Sequence, residues 1–164
     1  MDEMVVRHIN QGELYFGRER CILKTLVGSC IAIVLWHQEK NLGGMCHIVL
    51  PDSSEARIGC NNRFADCAIK TFVEDIKAAG TQPGDYWVGV YGGGNMFPGM
   101  HFNNARPIGE QNVSAACRCL KESGFHVAHK DIGRAVYRML SLDLESGEVV
   151  LKNTDIPIIQ SVLE

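Results

Sequence analysis

Hydrophobic positions recur along this chain with two different periods. Between about residues 62 and 79 they return at helical spacing, with Phe64, Ala68, Phe72, Val73 and Ile76 on one face and Gly80 placed to end the helix. A second helical segment runs from Ile108 or Glu110 to Ser123. Pro107 suits its entrance, Val113, Ala116, Cys117 and Leu120 form its stripe, and Gly124 follows its end. Elsewhere the pattern is that of strands. Residues 29–37 and 44–50 are apolar and rich in β-branched side chains, and the polar stretch 38–41 between them predicts a buried hairpin. Residues 86–91 form a strand running into Gly92-Gly93-Gly94, and 125–131 a further short one. Residues 137–144 and 148–153 flank Glu145-Ser146-Gly147, a hairpin turn. Several antiparallel strand pairs with two main helices predict the α+β class, layered as an α/β/α sandwich of antiparallel or mixed strands. No repeat or linker interrupts the pattern, so residues 1–164 read as one domain.

Composition narrows the function. At 164 residues, 46% hydrophobic and 21% charged, the chain is of globular type and long enough to bury roughly 70% of its unfolded surface. Sixteen basic against nineteen acidic side chains, a formal net charge of −3, provide no electrostatic case for nucleic acid or an anionic membrane. The longest apolar run, residues 31–36, is far too short to span a bilayer, so membrane insertion is not expected. Seven cysteines at irregular spacings, with no signal-peptide pattern after Met1-Asp2-Glu3, predict a reducing, cytoplasmic location with most thiols free and buried.

One cysteine stands apart. Cys30 follows the small pair Gly28-Ser29 and opens an apolar strand, where little bulk surrounds the sulfur and backbone N–H groups around Ser29 and Cys30 could receive an oxyanion. His47 lies on the next strand, and a hairpin turning at 38–41 returns it beside Cys30. Such a pair would lower the thiol pKa, with the imidazole acting as base and then as acid. Each residue also has a plain reading, the cysteine as a small core residue and the histidine as a structural one, and the pattern alone leaves both readings open.

The order of motifs adds a resemblance. Gln11-Gly12-Glu13-Leu14, Leu26-Val27-Gly28-Ser29-Cys30-Ile31-Ala32, Gly43-Gly44-Met45-Cys46-His47-Ile48-Val49-Leu50-Pro51, Tyr91-Gly92-Gly93-Gly94-Asn95-Met96-Phe97, Ile108-Gly109-Glu110-Gln111-Asn112 and Asp131-Ile132-Gly133 resemble the CheD family, the chemoreceptor glutamine deamidases of bacterial and archaeal chemotaxis. The resemblance implies Cys30 as nucleophile, His47 as its partner, and a threonine upstream of the cysteine. Thr25 is the choice for that position, with Lys24 competing, and its role would be to orient His47 or to bind the substrate amide. Gly28 and Ser29 are the candidate substrate or oxyanion positions. The implied reaction is attack on a protein glutamine, release of ammonia, and hydrolysis of a thioester to glutamate, with no cofactor or metal. The implied partners are chemoreceptor cytoplasmic domains and, in some members, a CheC-type phosphatase. Two other functions share these residues: a non-enzymatic chemotaxis adaptor binding receptor or CheC, and a thiol hydrolase acting on a different amide. One departure is that Arg134 follows Gly133 where the family commonly has a second glycine.

Other groups read as structural. Gly92-Gly93-Gly94 lacks the Gly-Lys-Ser/Thr of a phosphate loop and better suits packing beside the catalytic strands. Cys117 and Cys119, two apart on a helix, diverge by about 200°, and His126 and His129, three apart on a strand, face opposite sides, so neither pair chelates zinc readily. Cys46 should point away from His47's face. Cys21, Cys60 and Cys67 have no partner at a suggestive spacing. Asn112 could reach the site or simply serve the helix entrance, and Asp131 reads as loop-shaping.

Overall fold

The computed structural model describes residues 3–54, 59–100 and 105–157. Among these described residues nine strands and two α-helices follow in the order β1 (Val5–His8), β2 (Leu14–Gly17), β3 (Cys21–Val27), β4 (Ile31–His37), β5 (Leu42–Ile48), α1 (Ala65–Ala78), β6 (Trp87–Gly92), α2 (Ile108–Glu122), β7 (Val127–Ile132), β8 (Val136–Asp143) and β9 (Val149–Asp155). The strands form a five-stranded sheet ordered β2-β5-β4-β6-β7 and a four-stranded sheet ordered β1-β3-β8-β9. Most pairs are antiparallel; β1–β3 and β6–β7 are parallel. The α+β class and the two main helices are as the patterning predicts.

Both helices lie on one side. Ile31, Ile33 and Leu35 of β4, with Cys46 and Ile48 of β5, pack against Ala68, Phe72 and Ile76 of α1 and Ala116 and Leu120 of α2. The alternate residues Ala32, Val34, Trp36 and Met45 face Leu23, Val27, Leu140 and Leu142 of the second sheet. The layer order is therefore helices, sheet, sheet. The outer layer expected to be helical is supplied by β1, β3, β8 and β9, and the patterning had registered only the last two as strands. β4 is buried along its whole length because both faces are covered, which explains its unbroken apolar run.

The strands that patterning missed have identifiable reasons. β1 is a four-residue edge strand exposed throughout, and β2 is equally short and half-buried. β3 alternates cleanly, with Cys21, Leu23, Thr25 and Val27 inward, but the outward Ile22 and Leu26 obscure the period. On α2 the buried stripe is Gly109, Asn112, Ala115, Ala116 and Leu120, so Cys117 sits at its half-buried margin and not in the core.

Cys60 and Cys67 correct the expectation of unpaired thiols: they are disulfide-bonded, with Cα atoms 5.7 Å apart. The bend before α1 folds Cys60 back onto the helix's first turn, a closure that no residue spacing announces. Five cysteines are free, of which Cys21, Cys30 and Cys46 are buried. Closing so short a loop contributes about 2 kcal/mol by restricting the unfolded chain. Reduction should lower the urea midpoint accordingly, and a Cys60→Ser/Cys67→Ser protein should show the lowered midpoint with or without reductant.

Candidate active site

The segment between β3 and β4 is a tight turn whose three carbonyls are all held. Gly28 O accepts from Gly94 N–H at 2.9 Å, Cys30 O from Gly93 N–H at 2.9 Å, and Ser29 O from Asn112 Nδ2 at 3.0 Å. Gly92 is required here: its φ of +119° is left-handed, and a Cβ would collide with the Cys30 carbonyl oxygen. The triple-glycine loop is thus the bed on which the Cys30 turn lies. The turn's N–H groups at Ser29 and Cys30 have no backbone partner among the described residues.

On the β4–β5 ladder His47 stands opposite Ala32. Cys30 lies in the turn just before β4 and packs in the same core cluster as Ala32, so it borders the sheet face that carries His47. Cys46, adjacent in sequence, faces the helices, and complete burial pushes its thiol up to about 12.

Thr25 reaches the same place from the other sheet. Its inward position on β3 puts Oγ1 2.8 Å from His47 Nδ1 and 2.6 Å from the Ile9 carbonyl, whereas Lys24 takes the outward alternation. The carbonyl can only accept, so the threonine hydroxyl donates to Ile9 O. Its oxygen then accepts from Nδ1–H, which also lies 3.4 Å from Ile9 O. That relay selects the Nδ1–H tautomer and leaves a lone pair on Nε2. Nε2 is buried and has no hydrogen-bond partner among the described residues. The stretch after β1 wraps the histidine further: Glu13 O accepts from His47 N–H and His47 O from Gly12 N–H. The Gln11-Gly12-Glu13 motif thus holds the His47 backbone on both sides through Gly12 and Glu13.

The three side chains are nearly closed off, at 5% exposure for Thr25, 8% for Cys30 and 4% for His47. Burial pushes the Cys30 thiol up. Burial also lowers the His47 pKa, partly offset by the Ile9 carbonyl and the Glu13 charge. This corrects the expectation of a lowered thiol pKa: desolvation dominates, and at neutral pH the pair is thiol and neutral imidazole. A cleft of about 300 Å³ opens beside Ser29, bounded by Met96, Arg106, Ile108 and Gln111. A second opening, bounded by Asn10, Gln11 and Lys24, reaches Thr25 and His47 from the other side.

Of the remaining groups, Asp131 is structural. It receives Arg138 Nε at 2.9 Å and Arg134 Nη2 at 3.0 Å. Arg134 itself adopts φ +60°, so it takes up the left-handed conformation a second glycine would favour. No three His, Cys, Asp or Glu side chains gather to hold a metal among the described residues, and no helix there is long and apolar enough to cross a membrane.

Comparison with known proteins gives the family. Residues 49–153 match the family model described as CheD chemotactic sensory transduction. The chain is 32% identical over 150 residues to a protein of Pseudomonas fluorescens named a probable chemoreceptor glutamine deamidase CheD, covering 91% of this chain and 85% of that one. Proteins of the same name from Dechloromonas aromatica and Methanococcus vannielii are 35% and 30% identical, covering 84% and 95% of their own lengths. A solved structure, the Bacillus licheniformis hypothetical protein YfiH, aligns over 80% of this chain and 59% of its own, with a TM-score of 0.48 and 9% identity. A family model matching most of the chain, and relatives aligned along nearly their whole length, place this protein in the CheD family.

Proposed function

We propose that this protein deamidates glutamine side chains of chemoreceptor cytoplasmic domains, using Cys30 as nucleophile and His47 as base and acid. The observation that carries the reading is the Thr25 relay, which holds His47 in the Nδ1–H tautomer and leaves Nε2 without a partner among the described residues, on a residue that stands opposite Ala32 in the core cluster that includes Cys30. As Sγ attacks the carboxamide carbon, its proton passes to Nε2, and the oxyanion is received by the N–H groups of Ser29 and Cys30. Collapse returns the proton from Nε2 to the leaving nitrogen, releasing ammonia and leaving a thioester. Water then gives a proton to Nε2 as its oxygen attacks, and the departing sulfur recovers that proton. The sum is glutamine plus water to glutamate plus ammonia. Conversion adds negative charge to the receptor, which shifts its signalling balance by local repulsion.

The test is incubation of the purified protein with a receptor cytoplasmic fragment, following ammonia release and the Gln-to-Glu mass change. Stoichiometric appearance of both supports the reading. Binding without conversion overturns it in favour of an adaptor, and turnover of small amides alone points to a different thiol hydrolase. Thr25→Val keeps the shape but removes the relay, freeing the ring to adopt the other tautomer. Its kcat should fall by about a hundredfold with KM little changed.

A further inference from the structure

We propose that Asn112 is a positioning residue that fixes the Cys30 turn relative to the strand carrying His47. The inference rests on the reading above for its chemistry and on the geometry of α2 for its substance. Asn112 is wholly buried near the start of α2. Its Nδ2 donates to Ser29 O at 3.0 Å and to Val49 O at 3.1 Å, partners 83 and 63 residues away in sequence. Ser29 immediately precedes the nucleophile, and Val49 lies two residues beyond His47. One amide nitrogen therefore bridges the two backbone segments whose separation sets the Cys30–His47 geometry.

The bridge lies where the ladder stops. The β4–β5 pairing ends at Ile31↔Ile48, and Val49 N–H turns away to the Arg63 carbonyl. Beyond that last pair the strands have no ladder bond between them, and Cys30 falls in this gap. Of the three hydrogen bonds holding the turn's carbonyls, the one at Ser29 alone comes from a side chain. The helix carrying Asn112 is itself seated tightly. A Cβ at Gly109 would come within 2.6 Å of both the Gly93 and Gly94 carbonyl oxygens, so α2 rests directly on the loop that beds the Cys30 turn. Turn, glycine loop, helix entrance and strand end are packed and hydrogen-bonded to one another, and Asn112 is their side-chain tie.

The amide is retained at a cost. Its Oδ1 is buried with no hydrogen-bond partner among the described residues, a defect that destabilises the fold. An apolar side chain of similar shape would remove that defect together with the bridge. What the site gains from asparagine is the pair of donor bonds, and both end on the segments flanking the reacting groups.

The experiment compares wild type, Asn112→Leu and Asn112→Asp. Circular dichroism and urea unfolding establish that each is folded. Two readouts follow: kcat and KM for receptor-fragment deamidation, and the pH dependence of Cys30 alkylation by iodoacetamide in a background where the other free cysteines are serine. The expected result for Asn112→Leu is a loss of about a hundredfold in kcat with KM within twofold, since misplacement affects the reaction more than docking. Its Cys30 thiol should titrate closer to the ordinary value as the turn loosens. Asn112→Asp keeps one donor while its carboxyl is protonated and should fall between the two. If Asn112→Leu does not fold, Asn112→Asp carries both measurements. An unchanged kcat, or a loss expressed equally in KM with an unchanged thiol titration, overturns the proposal. If wild type does not deamidate at all, the proposed function fails, and the alkylation profile alone decides whether Asn112 fixes the turn.

Discussion

Cys30→Ala should release no ammonia from a receptor fragment and produce no Gln-to-Glu mass change, a loss of at least about a thousandfold in kcat. The variant should remain folded, because Cys30 sits at the margin of its core and only a sulfur is removed. Cys46→Ala is the matched control. Cys46 is one residue from His47, yet it faces the helices and burial holds its thiol up near 12, so it should lose stability by about 1–2 kcal/mol and keep its activity. The pH profile separates this mechanism from one that starts from a thiolate–imidazolium pair. The base must be neutral, and burial lowers the His47 pKa from its ordinary 6.5. Deamidation should therefore persist as pH falls through 6.5 and decline only below it. Alkylation of Cys30 should still be climbing at pH 9 and reach half its maximal rate only above it, because burial raises that thiol from its ordinary value. A thiol that alkylates fastest near neutrality, or undiminished turnover by Cys30→Ala, would contradict the assignment.

The parts of this site that follow from local pattern were legible, and the parts that follow from long-range packing were not. A period-2 hairpin with a four-residue polar turn places His47 on the Cys30 face by arithmetic alone, and the register found, His47 opposite Ala32, is what that arithmetic gives. The same alternation sends Cys46 to the opposite face. Thr25 was legible only through the resemblance, because its strand was hidden by outward apolar residues, and the alternation of β3 is what separates it from Lys24. Asn112 was legible only as a residue that could reach the site or serve the helix entrance, and the Ile9 carbonyl was not legible at all. A backbone acceptor carries no residue identity, and a bridge spanning 83 residues leaves no periodic trace. The direction of the Cys30 shift was misjudged for a related reason. Pairing logic considers the nearest charge, whereas the second sheet, whose existence was half-missed, covers the site and makes desolvation the larger effect.

The same hidden packing predicts which ion pair the fold cannot lose. Asp131→Ala should cost about 3–5 kcal/mol, since it strips the partner from a guanidinium that is fully buried. Arg138 donates Nε to Asp131 at 2.9 Å, Nη2 to the Gly133 carbonyl at 2.7 Å and Nη1 to the Gly92 carbonyl at 3.3 Å, so it clasps the end of β6 to the loop before β8. Removing the cation should cost less than removing the carboxylate: Asp131 is 22% exposed and keeps Arg134 at 3.0 Å. Arg138→Met together with Asp131→Leu should recover part of the loss, because two apolar side chains leave no buried charge behind. The pair also has an acid signature. Burial alone would raise the Asp131 pKa, but hydrogen bonds from Arg138 and Arg134 outweigh it and hold the carboxyl below its ordinary 3.8. Its stabilisation is therefore full above pH 3.8 and disappears as pH falls through the lower folded value. Urea unfolding of the four proteins at neutral and acid pH measures all of this. The ordering Asp131→Ala, then Arg138→Met, then the double variant, from least to most stable, with the differences shrinking in acid, is the result that a buried charge demands. Equal stabilities would mean that the guanidinium is held by its two carbonyls alone. Because Gly92 precedes the glycine whose N–H holds Cys30 O, the destabilised variants should also lose kcat at temperatures where they are still folded.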